Sequence, residues 1–152
     1  MLHLELLRYV RPQNFFIECH PMPASDTDQP NQPTRSLPVC PDKPNCVSTQ
    51  GTRAEQTMQP LTFRGSEGQA IERIAAILSS MPRVRVVVQQ ENYLHAVFSS
   101  PVFRFRDDVE FLADGDSGLL HFRSAARLGY YDFGANRRRM ERLSELLSEQ
   151  LG

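Results

Sequence analysis

Six arginines stand between residues 121 and 143, in HFRSAARLGYYDFGANRRRMERL: Arg123, Arg127, Arg137, Arg138, Arg139 and Arg142. A guanidinium is permanently charged and presents a planar fork of donors that suits a carboxylate, phosphate or sulfate. Three of the six fill what reads as the first turn of the last helix. The positive end of a helix dipole opposes each exposed cation there by about 0.3–1 kcal/mol, so some anion should lie near. With Asn136 as N-cap, the free N–H groups of that turn and the forks of Arg123 and Arg127 are physically sufficient to hold one. The candidate ligand-binding set is Arg123, Ser124, Arg127, Asp132, Asn136 and Arg137, with Gly129 and Gly134 allowing a tight turn between them.

The nearest negative groups are internal. Residues 107 to 116 carry five acids: Asp107, Asp108, Glu110, Asp114 and Asp116. Pairing within the domain is the simpler account of both clusters, with Asp107, Asp108, Glu110 and His121 as structural ion-pair members. Exposed cross-strand pairs are common and contribute about 0.2–1 kcal/mol each. Asp107 and Asp108 are adjacent on a strand, so they point to opposite faces and should not converge as a catalytic dyad.

Cys40 and Cys46, bracketing two prolines, can close a disulfide in an oxidising compartment and stay thiols in a reducing one. With Cys19 and His20 they make four potential zinc ligands. No CxxC knuckle is present, however, and adjacent residues do not readily share one tetrahedral ion, so no metal is expected. Nothing brings Cys46 to His95 or His121 as thiol and base. No triad signature, Walker loop, dinucleotide fingerprint or HExxH occurs. The single lysine, Lys43, sits in a proline-rich loop unsuited to Schiff-base chemistry. Neither a catalytic residue nor a cofactor is expected.

The chain of 152 residues with 40% apolar side chains suits one domain with an ordinary core. A formal charge of -1 creates no global field for nucleic acid or anionic lipid, so recognition must come from local clustering, and nucleic acid is not expected. Glu5, Arg8 and Arg11 interrupt the N-terminus where an export signal needs an apolar run. No stretch is long and apolar enough for a transmembrane segment. The expectation is a cytoplasmic protein, with an exported or envelope-associated form as the alternative if translation starts elsewhere.

Residues 1–39 read as a flexible extension and linker, its first ten residues a short amphipathic helix, because 20 to 60 hold most of the prolines among polar residues. Residues 40–152 read as an α+β domain. In SEGQAIERIAAILSSM, Ser66 and Gln69 have capping-box spacing and apolar residues recur at helical intervals until Pro82. Four strand-like runs follow, RVRVVVQQ, YLHAVFSS, DDVEFLA and LLHFRSAA, with LTFRG as a fifth short candidate. Met140, Leu143, Leu147 and Leu151 then mark a final helix. Short connections predict a four-stranded antiparallel meander with both helices on one face, in the order α-β-β-β-β-α. A two-residue turn at Gly115-Asp116 sets Phe111 opposite Leu120, Val109 opposite Phe122, Asp108 opposite Arg123 and Glu110 opposite His121.

CPDKPNCVSTQ at 40–50, YLHAVFSSPVFRFRDDVEF at 93–111 and FRSAARLGYYDFGANRRRMERL at 122–143 together resemble the uncharacterised DUF1499 family, from Cys40 to about Leu147. Thr49 stands where serine is usual, and Ala126 replaces the second serine of the family's R-S-A-S-R. The resemblance implies a shared fold unit and polar constellation, and no reaction. Family members often look as though they follow an anchor or export signal, and neither is visible here.

The functional expectation is non-enzymatic binding of a small anion or a protein partner through the Arg-rich corner at the start of the last helix. Its alternatives are a hydrolase or thiol-dependent enzyme using Cys46 or the Asp107/Asp108 region, and a structural envelope-associated protein.

Overall fold

The computed structural model describes residues 36–152. The short helix expected in the first ten residues, with Cys19 and His20, lies outside the described residues. The chain runs β1 (Cys46–Ser48), β2 (Leu61–Thr62), α1 (Glu67–Ser79), β3 (Val84–Gln89), β4 (Tyr93–Ser99), β5 (Arg106–Asp114), β6 (Leu119–Ala126) and α2 (Ala135–Leu151). The class is α+β, and among the described residues two helices lie on one face of an antiparallel sheet of six strands rather than four. Strands β3 to β6 form the expected meander, and β1 and β2 both add to the free edge of β6.

Helix α1 begins where its capping box dictates. Ser66 Oγ accepts from Gln69 N at 3.2 Å, and Gln69 Oε1 accepts from Ser66 N at 3.1 Å, satisfying two otherwise orphaned donors. Its Ile71, Ile74 and Leu78 face the Met140, Leu143, Leu147 and Leu151 stripe of α2 and the inward side chains of the sheet, among them Leu94, Val109, Phe111 and Phe122. The same alternation sends Tyr93, His95, Asp108, Glu110, Arg123 and Ala125 to the opposite face.

The β5–β6 register departs from expectation by two residues. Phe111 lies opposite Phe122, Val109 opposite Ser124, Glu110 opposite Arg123, and Asp108 opposite Ala125. The connection is four residues, 115–118, and not the two-residue turn at Gly115-Asp116. Asp114 Oδ1 accepts from Asp116 N, Ser117 Oγ donates to Asp114 Oδ2, and Gly118 turns back with φ of 66°. A shift of two keeps every side chain on its own face, so the apolar alternation that excludes a slip of one does not see it.

The other addition comes from the proline-rich stretch. Asn45, Cys46, Val47 and Ser48 are buried, β1 pairs with residues 123–125, and Gln56 Nε2 ties the loop by donating to the carbonyls of Pro41 and Lys43. Leu37 is buried as well and its N–H donates to Gln50 Oε1 at 3.0 Å.

Candidate functional site

The start of α2 is neutralised from within. Asp132, three residues before the helix, takes the role assigned to Asn136. Its Oδ1 accepts from Gly134 N at 2.9 Å and its Oδ2 from Asn136 N at 2.8 Å, so a carboxylate caps the positive end of the dipole. Asn136 is not the N-cap; it sits inside the first turn, behind Gly134, which turns with φ of 74°. Buried at 1% exposure, Asn136 is the hub of a polar knot. Its Nδ2 donates to Asn45 O and Asp132 Oδ2, and its Oδ1 accepts from Ser124 Oγ and Arg139 Nη1. Arg139 also donates to Asp107 Oδ2 at 2.5 Å and lies 5.1 Å over the Phe98 ring. Ser124, Asp132, Asn136 and Asp107 therefore lock α2 to the sheet on its helix-bearing face.

Arg123 and Arg127 lie on the other face. Arg127 closes a two-pronged pair on Asp108, Nε to Oδ2 at 2.9 Å and Nη2 to Oδ1 at 2.7 Å, and His95 Nε2 donates to the same Oδ1 at 2.7 Å. Burial raises the Asp108 carboxyl, but the bonds from Arg127 and His95 and their charges outweigh it and hold the group below the ordinary aspartate value. One step along, Arg123 Nη1 donates to the buried Glu110 at 2.6 Å and the Tyr93 hydroxyl to its other oxygen at 2.8 Å. Burial, then the bond to Glu110, push the Tyr93 phenol far above its usual range. His121 is not opposite Glu110; it faces Leu112 across the ladder and hydrogen-bonds Thr49 Oγ1 at 3.1 Å. Asp107 and Asp108 bind Arg139 and Arg127 on opposite sides of the sheet and form no dyad.

Two further guanidinium groups from the first turn of α2 meet carbonyl oxygens and, among the described residues, no carboxylate. Arg137 donates to the carbonyls of Glu55 and Thr57, and Arg138 to that of Phe133 at 2.7 Å. Arg104 and Arg106 are exposed and form no ion pair among the described residues.

Cys40 and Cys46 are joined by a disulfide with Cα atoms 5.7 Å apart. The bridge borders Asn45, whose carbonyl accepts from Ala126 N and Asn136 Nδ2 and whose side chain donates to Gly129 O at 2.8 Å. The cysteine loop thus props the β6–α2 connection. Among the described residues no group of three His, Cys, Asp or Glu side chains could hold a metal ion.

Sequence reasoning passed over the apolar tips at this end. The β4–β5 connection exposes Val102, Phe103 and Phe105, and the β6–α2 connection exposes Leu128, Tyr130, Tyr131 and Phe133. Phe103 and Phe105 stack at 5.5 Å between centroids, and Tyr131 meets Phe133 edge-on at 5.2 Å. The signal available was the run PVFRFR, apolar residues in a segment that begins with proline between two strands.

The family model for DUF1499, a protein family of unknown function, matches residues 36–147. No curated protein and no solved structure matches the chain. No helix among the described residues is long and apolar enough to cross a membrane.

Proposed function

The chain belongs to the DUF1499 family, and on that premise we propose that its domain is a non-enzymatic binding module whose Arg-rich corner engages an anionic ligand or partner. The observation that carries this is a local surplus of guanidinium. Residues 99–106 and 126–139 hold six arginines and one acid, Asp132. Arg127 and Arg139 are matched by Asp108 and Asp107 from β5, whereas Arg104, Arg106, Arg137 and Arg138 meet carbonyl oxygens or no partner among the described residues. The forks of Arg123 and Arg127 are engaged by carboxylates, so the surplus set is the one that faces a ligand, with Arg123, Ser124, Asp132 and Asn136 fixing its frame. Against a thiol or carboxylate enzyme stand the bridged Cys46 and the divergent Asp107 and Asp108. The disulfide supports an oxidising compartment over a reducing one.

Thermal unfolding in phosphate, sulfate and acetate, each compared with chloride at equal ionic strength, tests the reading. Specific stabilisation by the polyvalent anions is expected in wild type, weakened in Arg138→Ala and Arg104→Ala. Equal melting temperatures in all four salts would sink it.

A further inference from the structure

Seven of the ten large hydrophobic side chains exposed among the described residues belong to two loops, 100–105 and 127–134. Both loops leave one end of the sheet, from the facing ends of β5 and β6, and Arg127 N bonds Arg106 O between them. Phe103 is 74% and Phe133 79% exposed. Arginine alternates with the aromatics, as in Phe103-Arg104-Phe105-Arg106, and Arg138 anchors its guanidinium on the Phe133 carbonyl. Among the described residues the three non-glycine residues with positive φ, Arg83, Arg104 and Phe133, are all at this end, Arg83 through its carbonyl bond to Ser99. Left-handed backbone at such residues is unfavourable, so the surroundings hold these side chains in place against strain.

We infer that this end is a membrane-surface docking site, in which Phe103, Phe105, Tyr131 and Phe133 enter the headgroup and upper acyl region of an anionic bilayer while Arg104, Arg106 and Arg138 bind lipid phosphates. The inference rests on the binding reading above and names its partner. A bilayer interface satisfies side chains of both kinds at adjacent depths, apolar just beneath anionic, and asks for no complementary cavity; aromatic rings settle at that level and basic residues are held there. Projecting tips suit a surface that parts around them. Charge gives the direction of approach. The opposite end of the sheet carries Glu91, Asp114 and Asp116, with Glu67 bonded to Gly115 N at 2.7 Å, so an anionic surface attracts one end and repels the other.

Co-sedimentation of the full chain with vesicles of phosphatidylcholine alone, or mixed with phosphatidylglycerol, tests this, with Phe103→Ala, Phe133→Gly, Arg104→Ala and the remote Arg73→Ala as variants. Partition into the anionic vesicles only is expected. It falls about fivefold in Arg104→Ala, about tenfold in Phe103→Ala and not at all in Arg73→Ala. Phe133→Gly relieves backbone strain, so a loss of partition in this folded variant supports insertion rather than unfolding. Anionic partition that survives both phenylalanine variants overturns insertion and leaves the arginine reading standing. Equal partition into neutral vesicles overturns the arginine part, and with it the anionic bilayer as the occupant. No partition, with phosphate still stabilising the protein, overturns the lipid and keeps the anion. A soluble dimer dispersed by Phe103→Ala assigns the tips to a second copy and overturns the inference.

Discussion

Asp108 shows how a charge that looks available can be committed. Three donors from two side chains converge on its carboxylate, which remains partly open to water, and together they overcome the desolvation that would otherwise favour the protonated acid. Its folded pKa is thus depressed. The stability this supplies is fully present above the unfolded aspartate value, about 3.9, and is lost as pH falls through the folded value. Replacing Asp108 by Asn should lower stability by about 1–2 kcal/mol at neutral pH. The gap to wild type should close below about pH 4, as the native carboxyl itself becomes neutral. Urea unfolding across that range checks it, and a gap that stays constant into strong acid would show the charge to be irrelevant. The residue types of this network were legible: an acid strand beside a basic one announces pairing. The partners were not. Arg123 meets Glu110 and Asp108 meets Arg127 because each fork follows a register that the apolar alternation leaves open by two.

Helices α1 and α2 were readable because their signals are local: a capping box, a proline stop, a leucine stripe. Strand β1 was not, since three residues within a proline-rich segment carry no period and gain their place from the open edge of β6. The cap of α2 was misread by four residues. Asn136 has the right chemistry for an N-cap, but the left-handed turns at Phe133 and Gly134 deliver the Asp132 carboxylate to its N–H instead. Around β1 the cysteine bridge has a structural task. By closing the 40–46 loop it holds Asn45 against Ala126, Gly129 and Asn136. Constraint of so short a loop in the unfolded chain is worth about 2 kcal/mol. The double substitution Cys40→Ser, Cys46→Ser should lower the melting temperature accordingly and speed amide exchange at Ala126. A reductant should reproduce both effects in wild type and neither in the variant. An unchanged wild-type melting temperature on reduction would remove the bridge from the fold's support, and with it the argument for an oxidising compartment.

Fourteen basic and fourteen acidic side chains fall within residues 36–152, so the domain is neutral in sum and anything electrostatic about it comes from arrangement. The strands set that arrangement. One end gathers Arg83, Arg104, Arg106, Arg127, Arg137 and Arg138 around Asp107, Asp108 and Asp132, and the other Glu67, Glu91, Asp114 and Asp116 around Arg64. Composition alone, with a sequence pI near 6.4, predicts no affinity for a negatively charged matrix at neutral pH. A folded molecule that presents its basic end first should nonetheless be retained on a sulfonate cation exchanger, because a surface samples the nearest potential and not the sum, within a Debye length of about 10 Å at 0.1 M salt. Retention should fade as salt shortens that length. It should vanish in Arg104→Glu, Arg138→Glu, and also in urea, where the unfolded chain averages its charges. A variant reversed at the acidic end, Asp114→Lys with Glu91→Lys, shifts the net charge by as much in the positive direction as Arg104→Glu with Arg138→Glu shifts it in the negative, so any composition-based account would credit the two equally. If that variant gains as much retention as the basic-end reversal loses, position is irrelevant and the corner has no privileged field. If it gains little, the polarity of the sheet, and not the number of arginines, is what an anionic partner meets.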